Sequence, residues 1–483
     1  MKLCKRCVNP DTGPTIFFDA EGICPVCRYE EEKRKGAIDW DERRRELDGI
    51  LQWGRENSKC SYDCIVTVSG GKDSTTQALF ARDELGAKPL LVSCVYPPEQ
   101  LHERGAHNLS NLISLGFDTI SISLNSKVWK LLMLRGFLKY GNWARSTEMA
   151  LYAVRIHAAI AYKIPLICYG ENPAWTIGEK HGRLGGDASK LKLGNTISGG
   201  PTSLLTTDIT AKDTHFYFYP PDEYMEYANL RLVYLGFYIQ DWSGYNNGQF
   251  SKKHGLEVRS DPPERIGDLW GFSALDEDFR IVNQLLKYLK FGFGHGTDQV
   301  VEAINSGMMT REEGLELVRK YDGKCDHHYI ERFCHYFGIS EATFLEVVES
   351  LRNHEIWKRN AADEWMLSVE RSDPINLELP CGEKSTPGKG LILGRRLDEA
   401  QDHLLAGQGD PQGDDHRVLG EGLPIQEQGD DVVPVQAPFL EGLEVLRTRA
   451  KTEVGWSAWP AQWCASSCQA KAIHAMRSRA PTW

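Results

Sequence analysis

Short apolar runs alternate with helical patterns through the first half of the chain. The first run, residues 64–68, is almost continuously apolar, as in a strand that is buried on both faces of a sheet. A helical pattern follows it and stops at Gly86, a residue suited to the position after a helix C-terminus. The alternation continues in three more strand patterns and two more helical patterns: 89–95, 118–124 and 164–169, and 100–115 and 146–162. This order predicts an α/β fold with a doubly wound parallel sheet, whose ligands bind beyond the carboxyl ends of the strands.

A glycine-rich turn joins the first strand to its helix, with the sequence Ser69-Gly70-Gly71-Lys72-Asp73-Ser74. A glycine turn between a strand and the first turn of a helix presents backbone N–H groups to an anion. The positive end of the helix dipole points at the same place. Gly70 and Gly71 let the backbone approach phosphate oxygens without a Cβ in the way. Ser69 and Ser74 add hydroxyl donors. We therefore predict that this turn binds the phosphates of a nucleotide.

The spacing of the glycines indicates the kind of phosphate loop. A Walker A loop needs a glycine where Val66 stands and a serine or threonine where Asp73 stands. The dinucleotide fingerprint needs separated glycines, whereas these two are adjacent. The remaining pattern, Ser-Gly-Gly-x-Asp-Ser, resembles the PP-loop of the ATP pyrophosphatase (adenine nucleotide α-hydrolase-like) families. That resemblance implies cleavage of ATP between its α and β phosphates, with transfer of AMP to an acceptor oxygen.

Composition and charge narrow the class of protein. The chain has 483 residues, 41% of them hydrophobic and 25% charged, so it is long enough for two or more globular domains. Its formal charge of −11 argues against a general nucleic-acid binder, which displays a basic surface. No apolar run approaches the roughly 20 residues that span a bilayer, and the N-terminus lacks the apolar core of a signal peptide. We expect a cytoplasmic protein with no membrane contact, whose 13 cysteines are thiols or metal ligands.

Four cysteines form two pairs near the N-terminus, Cys4-x-x-Cys7 and Cys24-x-x-Cys27. Paired thiolates at this spacing suit a tetrahedral zinc ion. All four ligand positions are filled, which leaves none for water or substrate, so we predict a structural Zn²⁺ in a zinc ribbon. Reduced cysteines without a metal and an iron–sulfur cluster are the alternatives. The turn-rich segment between the pairs is expected to contain a short strand at residues 16–18.

Outside the sheet region the chain changes character. Residues 30–51 are charged with an apolar minority, which predicts a connecting helix on the surface, and residues 276–351 show helical patterns. From about Leu379 the chain is rich in Gly, Gln, Asp and Pro with weak periodicity, so we expect a low-order tail of unclear origin, in which Cys464 and Cys468 form no metal site. The predicted parts are a zinc ribbon, a linker helix, the ATP-binding domain, a helical C-terminal region and the tail: 1–36, 37–58, 59–260, 261–378 and 379–483.

The turn Gly170-Glu171-Asn172-Pro173 directly follows the fourth strand pattern. Because the carboxyl ends of parallel strands meet at the same edge of a sheet, this turn should lie on the same rim as the phosphate loop. A carboxylate on that rim can hold Mg²⁺ against the phosphates or orient the acceptor. We therefore count Glu171 as a candidate catalytic residue.

These motifs, together with the run Tyr62-Asp63-Cys64-Ile65-Val66 before the loop, resemble the N-acetyl sugar amidotransferases of lipopolysaccharide O-antigen and nonulosonic-acid synthesis. Two later segments are also similar to that family: the run from Lys287 through Lys290 to Gly294, and the run 309–314 with the continuation Arg319 to Gly323. The resemblance covers roughly residues 1–378. His295 stands where the family pattern leads us to expect an arginine.

The resemblance implies that an acetamido group on a sugar, which we expect to be nucleotide-linked, becomes an acetamidino group at the expense of ATP and ammonia. The amide oxygen attacks the α-phosphate, pyrophosphate leaves, and ammonia then displaces AMP. Such transfers depend mainly on positioning and charge neutralisation. In this scheme the loop amides with Ser69 and Ser74 hold pyrophosphate, and Asp73 and Glu171 place Mg²⁺. Lys72 and Lys290 are the candidate cations for the developing charge.

The source of ammonia lies outside this chain in our interpretation. No cysteine stands on a glycine-flanked elbow, and Lys2 occupies the place of an N-terminal nucleophile. We expect a separate glutaminase subunit, with a cyclase-like channel partner, as the resemblance also implies, and docking on residues 276–351. Two other functions stay open: a PP-loop tRNA thiolation enzyme, which would need a basic face and a reactive cysteine pair, and a non-catalytic ATP-binding module, which would release no pyrophosphate.

Overall fold

A computed structural model of the chain describes residues 1–13, 16–173, 185–193 and 200–368. The predicted tail at 379–483, with Cys464 and Cys468, lies outside these residues. Within the described part, no helix combines the length and the apolar character needed to cross a bilayer.

The central sheet consists of five strands: β1 (Cys64–Thr67), β2 (Pro89–Val95), β3 (Thr119–Ser123), β4 (Leu166–Tyr169) and β5 (Arg231–Tyr234). All neighbours are parallel, in the order β3-β2-β1-β4-β5. Every residue of β1 and β4 is buried, which explains their continuous apolar character. The order reverses between β1 and β4, so the predicted doubly wound parallel sheet is confirmed, with its crevice at these two strands.

Helices connect the strands and precede them: α1 (Pro25–Arg34), α2 (Trp40–Asn57), α3 (Lys72–Leu79), α4 (Glu103–Ser114), α5 (Ser126–Tyr140), α6 (Ala144–Tyr162) and α7 (Asp222–Tyr227). The helices predicted around the first four strands are present as α3, α4 and α6. α3 continues into a π-helical segment, Phe80–Glu84, and Gly86 follows that segment as Gly116 follows α4; both glycines have positive φ, as expected of residues that end helices. α5 and β5 have no counterpart in the sequence prediction.

The N-terminal segment contains two helices where the sequence predicted one over residues 30–51. α1 begins directly after Cys24, and α2 begins after Asp39, whose side chain accepts a hydrogen bond from the backbone N–H of Glu42 at 2.8 Å. Between them Gly36 has a φ of +68°, a left-handed conformation that ends α1. The prediction of a strand at residues 16–18 is wrong, because that segment has an irregular backbone.

α8 (Gly244–Lys253) lies within the part of the chain assigned to the ATP-binding domain and has no counterpart in the sequence prediction. The C-terminal region, residues 261–378, is helical as predicted, with α9 (Pro263–Ile266), α10 (Phe279–Phe291), α11 (His295–Asn305), α12 (Arg311–Tyr321), α13 (His327–Phe337) and α14 (Glu341–Ser350). An antiparallel hairpin, β6 (Trp357–Arg359) and β7 (Trp365–Leu367), follows the helices. One apolar core joins α5 and α6 to α10, α13 and α14, with Phe137 packed between Phe333 and Phe344. The domain boundaries drawn from the sequence stay a prediction.

Candidate active site

The phosphate loop, residues 69–74, lies between β1 and α3 and packs closely against α4. Gly70 has a φ of +84°, and a Cβ at this position would lie 3.0 Å from the backbone nitrogen of Leu109. Glycine is therefore required at position 70 by both conformation and space. Gly71 immediately precedes the helix, so the first N–H groups of α3, which have no partner within a helix, begin at the loop.

Two serines hold the ends of the loop together. The backbone N–H of Ser69 donates to Ser74 Oγ at 2.8 Å, and the two hydroxyl oxygens are 3.2 Å apart. The hydroxyls therefore lie side by side, next to the start of α3. Their role as donors to phosphate oxygens stays a prediction.

Two side chains of α8 donate hydrogen bonds to the charged residues of the loop, Lys72 and Asp73. Lys72 Nζ donates to Asp73 Oδ2 at 2.6 Å, and Asn247 Nδ2 donates to Asp73 Oδ1 at 2.7 Å. Ser251 Oγ donates to the carbonyl oxygen of Lys72 at 2.7 Å. Burial tends to lower the pKa of Lys72, but the charges of Asp73 and of carboxylates near it outweigh burial and raise the pKa. Lys72 is therefore a permanent cation at neutral pH.

Glu302 of α11 reaches the loop from the C-terminal region. Its Oε1 accepts a hydrogen bond from the backbone N–H of Tyr245 at 2.7 Å, at the start of α8. A Cβ on Gly244 would lie 2.9 Å from Glu302 Oε2 and 3.3 Å from Lys72 Cε, so the carboxylate and the lysine meet beside Gly244. Burial raises the pKa of Glu302, although the hydrogen bond from Tyr245 and the charge of Lys72 oppose the shift. Glu302 was not predicted from the sequence, in which it stands in no motif of the site.

Glu171 follows β4 and lies on the rim of the sheet where the loop also lies, because β4 pairs with β1. Its Oε1 accepts a hydrogen bond from the hydroxyl of Tyr152 at 3.2 Å. Its Oε2 is shielded from solvent and has no hydrogen-bond partner among the described residues. Burial raises the pKa of Glu171; the charge of Arg155 opposes this, and that of Asp73 adds to it.

Lys290 of α10 donates hydrogen bonds to the backbone at the C-terminal end of α5. Its Nζ donates to the carbonyl oxygens of Tyr140 at 2.6 Å and Gly141 at 2.9 Å, at the C-terminal end of α5. Burial lowers the pKa of this ammonium to about 8. A role for Lys290 at the phosphates would require it to leave both carbonyl oxygens.

The four N-terminal cysteines form one compact cluster. Cys4, Cys7, Cys24 and Cys27 are fully buried, and their Sγ atoms all lie within 4.8 Å of one another. The Sγ atoms of Cys4 and Cys27 are 3.9 Å apart, and those of Cys7 and Cys24 are 3.7 Å apart. Four sulfurs bound at about 2.3 Å to one tetrahedral ion would be separated by about 3.8 Å. The donor set therefore fits a single zinc-like ion, whereas a multi-iron cluster would place metal atoms between the thiolates and hold them further apart.

The cysteine cluster is packed onto the C-terminal region. Arg311 at the start of α12 donates from Nε to the carbonyl oxygen of Cys7 at 3.0 Å and to that of Cys4 at 3.4 Å. The apolar core around the cysteines includes Val300 and Val301 of α11 and Val318 of α12. The same helix, α11, thus contacts the cluster through its valines and the phosphate loop through Glu302.

A second group of potential ligand atoms lies near the surface, at His327, Glu331 and Glu341. The Nδ1 of His327 is 3.3 Å from Glu331, and its Nε2 is 3.1 Å from Glu341. Each ring nitrogen faces a different carboxylate, and one metal ion cannot bind both nitrogens of one ring. This geometry is that of two surface contacts between an imidazole ring and carboxylates, and not that of a metal site.

Residues 271–370 match the family model described as the C-terminal domain of WbpG-like LPS biosynthesis proteins. Nothing among the curated proteins matches the chain. Among solved structures, U34-tRNA thiolase NcsA from Methanococcus maripaludis, determined with its [4Fe-4S] cluster, aligns with 14% identity and a TM-score of 0.25 over 65% of this chain and 89% of that chain. The NMN synthetase from Francisella tularensis aligns with 16% identity and a TM-score of 0.21, over 46% and 89% of the two chains.

Proposed function

We propose that this chain, whose residues 271–370 match the WbpG-like C-terminal domain of lipopolysaccharide biosynthesis proteins, is an ATP-dependent enzyme of that synthesis. In our proposal it converts the acetamido group of a nucleotide-linked N-acetyl sugar into an acetamidino group. The observation that carries the proposal is Glu302, which lies within the matched segment and meets Lys72 of the phosphate loop. The matched domain and the loop therefore contribute to one site.

In the proposed reaction the amide oxygen attacks the α-phosphate of ATP and pyrophosphate leaves, which gives an O-adenylyl imidate. Ammonia then attacks the imidate carbon and AMP leaves with the former amide oxygen. The loop amides with Ser69 and Ser74 hold the β and γ phosphates, and Lys72 offsets the charge that develops on the leaving pyrophosphate. Asp73 fits a Mg²⁺ ligand, because each of its oxygens keeps a lone pair beyond the bonds to Lys72 and Asn247. The ion would supply further charge neutralisation at the phosphates.

Ammonia is supplied, in this proposal, by a separate glutaminase subunit through a cyclase-like channel partner. The cysteine cluster holds a structural Zn²⁺, because four buried thiolates leave it no open position. We place the reaction in the cytoplasm, where thiols stay reduced.

The test is incubation of the full chain with ATP, ammonia and a panel of UDP- and CMP-linked N-acetyl sugars. We expect AMP and pyrophosphate, and a sugar whose mass shows exchange of oxygen for N–H. Release of ADP and orthophosphate would overturn the proposal. ATP-dependent transfer of sulfur to tRNA would favour a thiolation enzyme instead, and binding of ATP without cleavage under all conditions would favour a non-catalytic module.

A further inference from the structure

Four polar side chains near the carboxyl end of β4 each keep a buried atom without a hydrogen-bond partner in the described part of the chain. They are Arg155 of α6, Tyr169 of β4, Glu171 and Tyr219, which we call the inner polar cluster. The atoms concerned are Arg155 Nε, Glu171 Oε2 and the hydroxyls of the two tyrosines. Native interiors leave few such groups, so four at one place require an explanation.

The members of the inner polar cluster are neighbours. Tyr152 links three of them: its hydroxyl donates to Glu171 Oε1, its ring centroid is 5.8 Å from that of Tyr169, and the Arg155 Cζ is 5.6 Å from its ring. Burial raises the pKa of Tyr169, Glu171 and Tyr219, and the charge of Arg155 opposes the shift in each case. Tyr219 packs against the same apolar core that contains Tyr169, as does Tyr152.

Arg155 differs from the other buried arginines. Arg104 and Arg259 both pair with Asp278, Arg135 pairs with Asp208, and Arg352 pairs with Glu349. Arg155 is only 8% exposed, yet the described residues offer it neither an ion pair nor a hydrogen bond. A buried donor without a partner costs about 1–3 kcal/mol, and more when it is charged. Such a cost is tolerated when a ligand supplies the missing partner.

The hydrogen-bonding groups of the cluster define the ligand. Arg155 and the tyrosine hydroxyls are donors, and Glu171 Oε2 is an acceptor. A secondary amide is complementary to this set, because its carbonyl oxygen accepts and its N–H donates. The position also fits, since Glu171 follows β4, the parallel neighbour of β1, and so lies at the rim of the sheet where the loop also lies.

We infer that the inner polar cluster binds the acetamido group of the acceptor, with its N–H on Glu171 and its carbonyl oxygen facing Arg155 and the tyrosines. This inference rests on the proposed function. One lone pair of the carbonyl oxygen accepts from the cluster while the other attacks the α-phosphate. As the O–P bond forms and pyrophosphate leaves, the amide N–H proton passes to Glu171 Oε2 and the C=N bond of the imidate forms. Arg155, Tyr169 and Tyr219 position the group.

The first experiment uses N-methylacetamide, the bare secondary amide, as the probe of the full-length protein. Saturation transfer from protein to probe is measured for the wild type, Arg155→Met and Tyr219→Phe. We expect the signal to fall about tenfold in Arg155→Met, because a hydrogen bond to a charged group is lost. Tyr217→Phe is the matched control, because Tyr217 also has a buried hydroxyl without a partner in the described part but lies outside the cluster. It should leave the signal unchanged.

Thermal unfolding of the ligand-free variants separates a binding role from a structural one. Removal of a buried polar group that lacks a hydrogen-bond partner removes a desolvation cost, so Tyr219→Phe, which keeps the ring, should unfold at or above the wild-type temperature. In Arg155→Met the loss of the contact between the guanidinium and the Tyr152 ring offsets this gain, so this variant should unfold at about the wild-type temperature. Binding of α,β-methylene-ATP should stay within about twofold of wild type. A lower unfolding temperature with unchanged amide binding would overturn the inference, since the cluster would then be structural. Loss of nucleotide binding in Arg155→Met would also overturn it, since the ligand would be a phosphate.

Turnover distinguishes this inference from the proposed function. If no acetamido sugar yields AMP but the variants lose amide binding, the proposed function fails and the amide site stands. If an acetamido sugar yields AMP and Arg155→Met leaves the KM for that sugar unchanged, the inference fails and the proposed function stands. In the expected outcome the KM for the sugar rises about tenfold in Arg155→Met, and Glu171→Gln lowers kcat more than it raises KM.

Discussion

At the scale of single residues, Lys290 is placed to stabilise a helix end. Its ammonium contacts the carbonyl oxygens of Tyr140 and Gly141, where α5 ends and carbonyl groups lack partners within the helix. A cation at this end also interacts favourably with the helix dipole. The hypothesis that Lys290 serves catalysis can therefore be separated from this role by experiment.

We expect Lys290→Met to lower the free energy of unfolding by about 1 kcal/mol, because two carbonyl oxygens lose their donor. The KM for ATP and kcat should stay at wild-type values. The control is Lys287→Met, one turn earlier on α10, which removes a surface pair with Asp298 and should cost less. A large loss of kcat in Lys290→Met with unchanged stability would show instead that the ammonium acts in the reaction.

Glu277 makes stability depend on pH. It is 1% exposed, its Oε1 accepts from the backbone N–H of Arg280, and its Oε2 has no partner among the described residues. Burial raises its pKa from 4.5 to about 8, and the charge of Asp276 adds to the shift. Between these values the folded protein keeps a proton that the unfolded chain releases. The contribution of Glu277 to stability is therefore complete below pH 4.5 and is lost as pH rises towards 8.

The variant Glu277→Gln mimics the protonated side chain at every pH. Its free energy of unfolding, minus that of the wild type, should grow from pH 5 to pH 8 by about 1.4 kcal/mol per pH unit at most. Urea unfolding at four pH values measures this difference. Glu226→Gln, at an exposed carboxyl, should show a flat difference. A flat difference for Glu277→Gln as well would contradict the assignment.

At the scale of elements, α8 determines the geometry of the phosphate loop. Asn247 and Ser251 lie one turn apart on this helix and bind Asp73 and Lys72. Glu302 accepts a hydrogen bond from the backbone N–H of Tyr245 in the first helical turn of α8. The loop is therefore oriented from outside by a helix that lies about 170 residues later in the sequence.

We expect Asn247→Ala to lower the rate of AMP formation by about tenfold or more, because a hydrogen bond to a carboxylate contributes about 1.5–3 kcal/mol. The rate is measured as pyrophosphate release at saturating ATP. Asn246→Ala is the matched control on the same helix, since the Asn246 side chain is exposed and donates to the carbonyl oxygen of Asp241. Equal rates for the two variants would show that Asp73 needs no support from α8.

At the scale of the whole molecule, the cysteine cluster and the active site share α11. The valines of this helix pack around the cysteines, while Glu302 on its other side meets Lys72. A metal ion that holds the cluster together should therefore stabilise a helix that also shapes the ATP site. Structural zinc contributes directly to folding energy.

Removal of metal with 1,10-phenanthroline should increase hydrogen–deuterium exchange in residues 1–34 and also in α11 and α12. The strands β1 and β2 should keep their protection, because they belong to a separate apolar core. Return of protection on addition of Zn²⁺ is the control. Exchange that rises only in residues 1–34 would show that the cluster does not support the helices.

Truncation after Leu377 should leave ATP-dependent turnover intact, because the candidate site residues all lie before that position. Turnover and the unfolding temperature of the truncated chain are compared with those of the full chain. Loss of turnover with an unchanged unfolding temperature would assign a role in the reaction to residues 378–483.

The sequence by itself determined the parallel sheet, the phosphate loop and the cysteine cluster. Each of these is encoded in contiguous residues: an apolar run for a strand buried on both faces, two glycines before a helix, and paired cysteines two residues apart. α5 and β5 were missed because their patterns are weak. α5 is apolar on most of its circumference and so lacks a clear period, and β5 begins with an exposed charged residue, Arg231.

Only the tertiary structure decided which side chains surround the loop. Asn247 and Asp73 are 174 positions apart, and Glu302 is more distant still, so no spacing in the sequence predicts their contact. The packing of the helices likewise decides that Lys290 caps α5. It also leaves Arg155 Nε without a partner among the described residues. Local chemistry is encoded along the chain, whereas pairing between distant polar groups depends on the packing of apolar surfaces that bring them together.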